Sequence, residues 1–200
     1  MLKRLVTPSR WGGGLSLLWR GNTFSNYINF LFKNKSINFS ILPDSVYSFD
    51  SARNALFHYM QSEGIGKGDL VQVMYFTCDA VTDVLLDLEC DVKFYDCDSD
   101  FQSVDFILED NCKLLISQIT FGRQAHTDEY LHEISQKGVS IILDKSLSYG
   151  VKDFDDNGLL QYPTLISFEV SKSITFGWAG LLMLPKTIKF EEYYKSIIHI

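Results

Sequence analysis

The chain has 200 residues, enough for one domain with a sizeable core. Its hydrophobic fraction of 46% and charged fraction of 22% are those of a globular protein. A net charge of −7 argues against a broad nucleic-acid interface, which needs a basic face, and no apolar run approaches the ~20 residues of a membrane span.

The charge is uneven. Residues 1–43 hold Lys3, Arg4, Arg10, Arg20, Lys33 and Lys35 and no acid. We read residues 1–45 as a basic N-terminal arm packed by its aromatics, with residues 46–200 as the domain. Two other readings of the arm stay open: a transit peptide, or a segment that meets an anionic ligand or acidic partner. The opening "MLKRLVTPSRWGGG" lacks the apolar core of a signal peptide.

From about residue 50 the periodicity alternates. "SARNALFHYMQSEG" carries apolar residues at helical spacing and stops at Gly64; "DLVQVMYF" is a short β-rich run. "DAVTDVLLDLE" reads as a helix, "DVKFYDCD" as a strand and "CKLLISQITF" as a buried strand. "HTDEYLHEISQKG" is a helix with acids early and Lys137–Gly138 at its end, and "VSIILD" is a buried strand. "TLISFE" and "GLLMLP" are further strands, and "FEEYYKSIIHI" resembles a helical connector. This succession predicts an α/β fold, a three-layer α/β/α sandwich with a mostly parallel sheet. Ligands of such sheets bind outside the carboxyl ends of the strands, which directs attention to Thr77, Cys78, Asp96, Gly122, Asp144 and the segment after Ser167.

Several motifs carry no chemistry. "GIGKGD" follows a helix and precedes a strand, the reverse of a dinucleotide fingerprint, so it reads as a turn. His58, His126, His132 and His199 stand alone, and the acids at Asp155–Asp156 and Asp96–Asp98–Asp100 read as loop residues. Cys78, Cys90, Cys97 and Cys112 form no CxxC pair and have no histidine at ligand spacing, so no metal is expected. They read as reduced core thiols of a cytoplasmic protein.

One constellation stands apart. Asp144 ends an apolar strand, where a carboxylate is costly unless a cation meets it. Lys172 follows the next apolar strand, and if the two strands are parallel neighbours both side chains enter one crevice. Ser51 and Ala52 open a helix whose free amides suit a phosphate. An acid, a lysine and an anion cradle suit pyridoxal phosphate. A purely structural Asp–Lys pair would leave the same pattern.

From Ser51 to Pro185 these residues resemble the DegT/DnrJ/EryC1/StrS sugar aminotransferases, within the fold-type I pyridoxal-phosphate enzymes. "SARNALFHYMQSEGIGKGDLVQV" is similar to that family's "SGTAAL…LGIGPGDEV", "CDVKFYDCD" to "GAKPVFVDVD", and "SFEVSKSITFGWAG" to "SFHPTKNLTTGEGG". "FGRQAHTDEYLHEISQKGVSIILDKSLSYG" is similar to "GQPADMDAI…VIEDAAQAHG". The resemblance implies the large domain of a fold-type I enzyme, without most or all of the C-terminal small domain. It makes Lys172 the Schiff-base lysine and general base. Asp144 becomes the acid that keeps the pyridine nitrogen protonated, and Ser167 a phosphate ligand. Ala52 and Arg53 become the positions whose amides complete the phosphate site.

The resemblance further implies amino transfer to a nucleotide-linked keto-sugar, in surface-polysaccharide or related glycan biosynthesis, with an amino acid such as glutamate as donor. The partner is a second copy of the chain or a chain supplying the small domain. Four positions depart from the pattern. Cys78 stands where a ring-stacking aromatic is usual, with Tyr75 and Phe76 as nearby substitutes, and Leu147 stands for a polar ring contact. Arg53 replaces a threonine, and "GWAG" puts Trp178 and Ala179 for an acid and a glycine. These motivate a rival reading: a pairing or regulatory subunit without turnover.

Overall fold

The computed structural model describes residues 46–148, 161–169, 179–185 and 187–198. The described residues form a nine-stranded sheet flanked by helices. In chain order the elements are β1 (Val46–Phe49), α1 (Ala52–Ser62), β2 (Leu70–Met74), α2 (Asp79–Asp87), β3 (Asp91–Cys97), β4 (Ser103–Val104) and β5 (Cys112–Thr120). They continue with β6 (Arg123–Gln124), α3 (Asp128–Gln136), β7 (Ser140–Leu147), β8 (Thr164–Ser167), β9 (Gly180–Met183) and α4 (Glu191–Ile198).

Sheet order is β1-β9-β8-β7-β5-β2-β3-β4, with β6 paired to β5. The centre, β8-β7-β5-β2-β3, is parallel throughout. The flanks β1, β9, β4 and β6 pair antiparallel. The expected α/β/α sandwich is therefore present, and the sequence-read strand "GLLMLP" runs back against β8 rather than along it.

Local chemistry explains the element ends. Ser51 is extended at the α1 N-cap, and its Oγ accepts from Asn54 N at 3.2 Å. Thr127 caps α3 in the same way, accepting from Tyr130 N at 3.3 Å. "GIGKGD" is a turn: Gly64 (φ 69°) and Gly68 (φ 77°) take the left-handed region between α1 and β2.

Alternation along the strands divides the sheet into two faces. On one face Leu115, Ile141, Met74 and Tyr95 pack with Leu131 and Ile134 of α3. Burying Leu131 and Ile134 stabilises this face by roughly 2 kcal/mol each. The opposite face carries Asp144, which is paired in register with Gln118 on one side and Leu165 on the other. Ser167 lies two residues beyond Leu165 and pairs with Gly180.

A methyl added at Gly180 would lie 2.2 Å from Ala52 N, so α1 begins directly on this second face. Glycine is required there because the helix backbone occupies the space of a side chain. At the sheet's edge, Tyr47 and Phe49 pack edge-to-face on Phe190 and Tyr194, closing α4 over β1.

The thiols correct one expectation. Cys112 is buried, but Cys78 is exposed and Cys90 and Cys97 are half-buried, so they are not all core groups. Cys78 leads into α2 and is left outside by the turn after β2.

Candidate functional site

The parallel register brings two of the expected residues, Asp144 and Ser167, to one end of the sheet. β7 and β8 are parallel neighbours, the condition on which the Asp144 argument rested. Asp144 is buried, and its Oδ1 accepts from Ser146 N at 2.9 Å. None of the ion pairs among the described residues involves it. Ser167, at the carboxyl end of β8, is buried beside the strand that carries Gly180.

The first turn of α1 lies over that strand, so Asp144, Ser167 and the amides that open α1 share one face and one end of the sheet. Asp50 precedes this helix start, accepting hydrogen bonds from Asn54 and Ser51. Burial pushes its carboxyl above the usual range against those bonds. Lys172, Trp178 and the Asp155–Asp156 pair lie outside the described residues.

The departing positions are also placed. Arg53 is neither free nor turned to the sheet: its Nη2 pairs with Asp83 Oδ2 of α2 at 3.2 Å. Cys78 is the N-cap of α2 and makes no side-chain cap bond. Tyr75 and Phe76 are exposed, with their rings against Phe94 (5.6 Å) and Phe101 (5.3 Å). Phe101 in turn meets Phe121 at 5.7 Å, so these aromatics form a patch over the ends of β2, β3 and β5.

Leu147 ends β7 opposite Thr120, whereas Asp144 lies opposite Gln118. Three residues of β7 thus span two of β5, and this irregularity keeps Asp144 and Leu147 on neighbouring register positions.

Sequence reading missed two buried polar residues of β5. Gln118 is 6% exposed and its Oε1 has no hydrogen-bond partner among the described residues. Ser117, facing the other way, hydrogen-bonds His126 Nδ1 at 3.0 Å. His126 was read as isolated, but it is buried among Tyr95, Phe106 and Tyr130, and burial lowers its pKa to about 4. The available signal was a Ser–Gln pair inside the apolar run "LLISQIT", since buried polar groups demand partners.

A shallow depression of about 540 Å³ lies at the opposite end of the sheet, between Gln61 of α1, Lys67 of the α1–β2 turn and Asp87 of α2. It opens at the amino end of β2, away from Asp144. We assign the site to the Asp144 end, where the strands' carboxyl termini and a helix N-terminus converge.

No family model and no curated protein matches the sequence. Solved structures do match. NtdA from Bacillus subtilis, with bound cofactor PMP, is 19% identical with a TM-score of 0.65, covering 100% of this chain and 46% of that one. A protein designated a sugar aminotransferase from Streptococcus pneumoniae, in its PMP form, is 18% identical with a TM-score of 0.63 over 78% and 45%. 3-Amino-5-hydroxybenzoic acid synthase is 20% identical with a TM-score of 0.62 over 78% and 42%. The chain thus has the fold of the large domain of fold-type I aminotransferases. It spans less than half the length of each of these structures.

Proposed function

We propose that this chain is the cofactor-binding large domain of a pyridoxal-phosphate aminotransferase acting on a nucleotide-linked keto-sugar. The observation that carries the reading is one shared edge: buried Asp144, buried Ser167 and the start of α1 on a single sheet face.

The residues present fit the cofactor. Asp144 is a buried carboxylate whose described partner is one backbone amide, so it has capacity for a protonated ring nitrogen. Ser167 and the Ala52 and Arg53 amides offer donors to a dianion at the positive end of α1. Pyridoxal phosphate, when bound, supplies an electron sink for the carbon that exchanges its amine. Asp144 would keep the ring nitrogen protonated, and Ser167 with the Ala52 and Arg53 amides would hold the phosphate. By the resemblance, Lys172 would hold the cofactor covalently and would move the proton. The amino donor is an amino acid such as glutamate, and a second chain completes the site.

The test is spectroscopic. Purified protein titrated with pyridoxal phosphate gains the near-ultraviolet to visible absorbance of lysine-bound cofactor, and Lys172→Ala does not. A wild-type spectrum identical to free cofactor would remove the assignment.

A second reading is favoured by Cys78 and Leu147. An exposed thiol stands where a stacking ring is expected, and the nearby rings of Tyr75 and Phe76 pack on Phe94 and Phe101. On that reading the chain binds the cofactor but serves as a non-catalytic partner. Cofactor binding without conversion to the amine form by glutamate, measured by the same absorbance, would select it.

A further inference from the structure

We infer that Gln118 is the residue that binds the 3-oxygen of the pyridine ring. The inference rests on the cofactor reading above. Gln118 sits directly opposite Asp144 in the β5–β7 register, so the two side chains leave the sheet on the same face. That face is the one on which α1 begins.

The order of strands then fixes which part of the ring Gln118 meets. The phosphate donors belong to β8 and to α1 over β9, Asp144 belongs to β7, and Gln118 belongs to β5. Asp144 therefore stands between the phosphate anchor and Gln118. In pyridoxal phosphate the phosphate arm leaves carbon 5, on one side of the ring nitrogen. The opposite edge carries the methyl on carbon 2 and the oxygen on carbon 3. With the nitrogen on Asp144 and the arm toward β8, the oxygen-bearing edge faces β5.

The state of Gln118 supports this placement. Its Oε1 is buried and has no partner among the described residues, an arrangement that costs free energy and that a ligand on this face would relieve. A carboxamide suits either form of the ring oxygen, accepting from the hydroxyl or donating to the oxide. Leu147, the neighbouring register position on β7, offers that oxygen no hydrogen bond.

The experiment compares pyridoxal 5′-phosphate with 3-deoxypyridoxal 5′-phosphate by equilibrium dialysis on the full chain. The wild type binds the deoxy compound about ten-fold more weakly, the scale of one buried hydrogen bond. Gln118→Leu and Gln118→Met bind the two compounds equally, and both lose the ten-fold on pyridoxal phosphate alone. Circular dichroism verifies that the variants fold. Undiminished discrimination in both variants, or none in the wild type, would overturn the role of Gln118 while leaving the cofactor assignment intact. Failure of the wild type to bind either compound would overturn the cofactor reading and this inference with it.

Discussion

Ser117 and Gln118 are adjacent on β5, equally buried, and opposite in their fates. Ser117 points toward α3 and finds His126 within an aromatic box. Gln118 leaves the sheet on the face of Asp144 and finds no partner for its carboxamide oxygen among the described residues. His126 keeps its Nε2 without a hydrogen-bond partner among the described residues, as Gln118 keeps its Oε1, but only Gln118 lies on the face of Asp144. The difference is therefore one of place: one open polar group is enclosed by aromatic rings, and the other stands on the face where a ligand is expected.

The comparison can be broken most severely at Gly180. Gly180→Val drives a side chain into the backbone of Ala52, which cannot yield like a flexible side chain. The expected loss is about 3 kcal/mol or more, read by urea denaturation, together with weaker cofactor binding because α1 must lift from the sheet. Wild-type stability in this variant would show that α1 does not rest on β9.

The second test is pH. His126 titrates at about 4 in the folded chain, with burial as the cause, against about 6.5 when unfolded. Between these values the unfolded chain binds more protons. Its contribution is therefore fully present above about pH 6.5 and is lost as pH falls toward 4, by about 3 kcal/mol in all. The neighbours facing it, Ser117, Tyr95, Phe106 and Tyr130, carry no charge in that window. His126→Phe should flatten the slope of stability against pH in this range, and an unchanged slope would refute the burial argument.

Smaller effects sharpen the contrast on β5 itself. Ser117→Ala leaves His126 Nδ1 without its partner and costs about 1–2 kcal/mol in thermal or urea unfolding. Gln118→Leu moves the other way: removing a buried amide with an open acceptor gains about 1 kcal/mol. A loss of stability in Gln118→Leu would mean that the amide is satisfied within the fold. At the surface, Arg53→Ala breaks the pair with half-exposed Asp83 and changes stability by less than about 1 kcal/mol.

Much of the site was legible before the fold. Asp144 stood out because it ends an apolar strand, and strand ends on a parallel sheet are where ligands bind; Ser167 entered through the family resemblance. The start of α1 was legible from Ser51, whose capping chemistry is local. His126 and Gln118 were not, because nothing nearby in sequence reveals which buried group meets which. His126 finds Ser117 nine residues away, across the β5–β6 hairpin, and Gln118 is distinguished only by a bond it does not make. Arg53 was equally ambiguous until α2 supplied Asp83.

By itself the sequence determined the order and kind of the helices and of the central strands, but not the short flanking strands β1, β4 and β6. The periods of two and 3.6, the capping serine and threonine, and the glycine turns act within a few residues. It also determined which polar groups would be carried to the ends of buried strands. The tertiary structure decided the rest: that β9 runs antiparallel and brings Gly180 under α1, that the irregularity in β7 sets Leu147 opposite Thr120, and that Gln118 shares a face with Asp144. These depend on strand order and register, which long-range pairing fixes, and a one-residue change of register would have turned the same side chains to the other face.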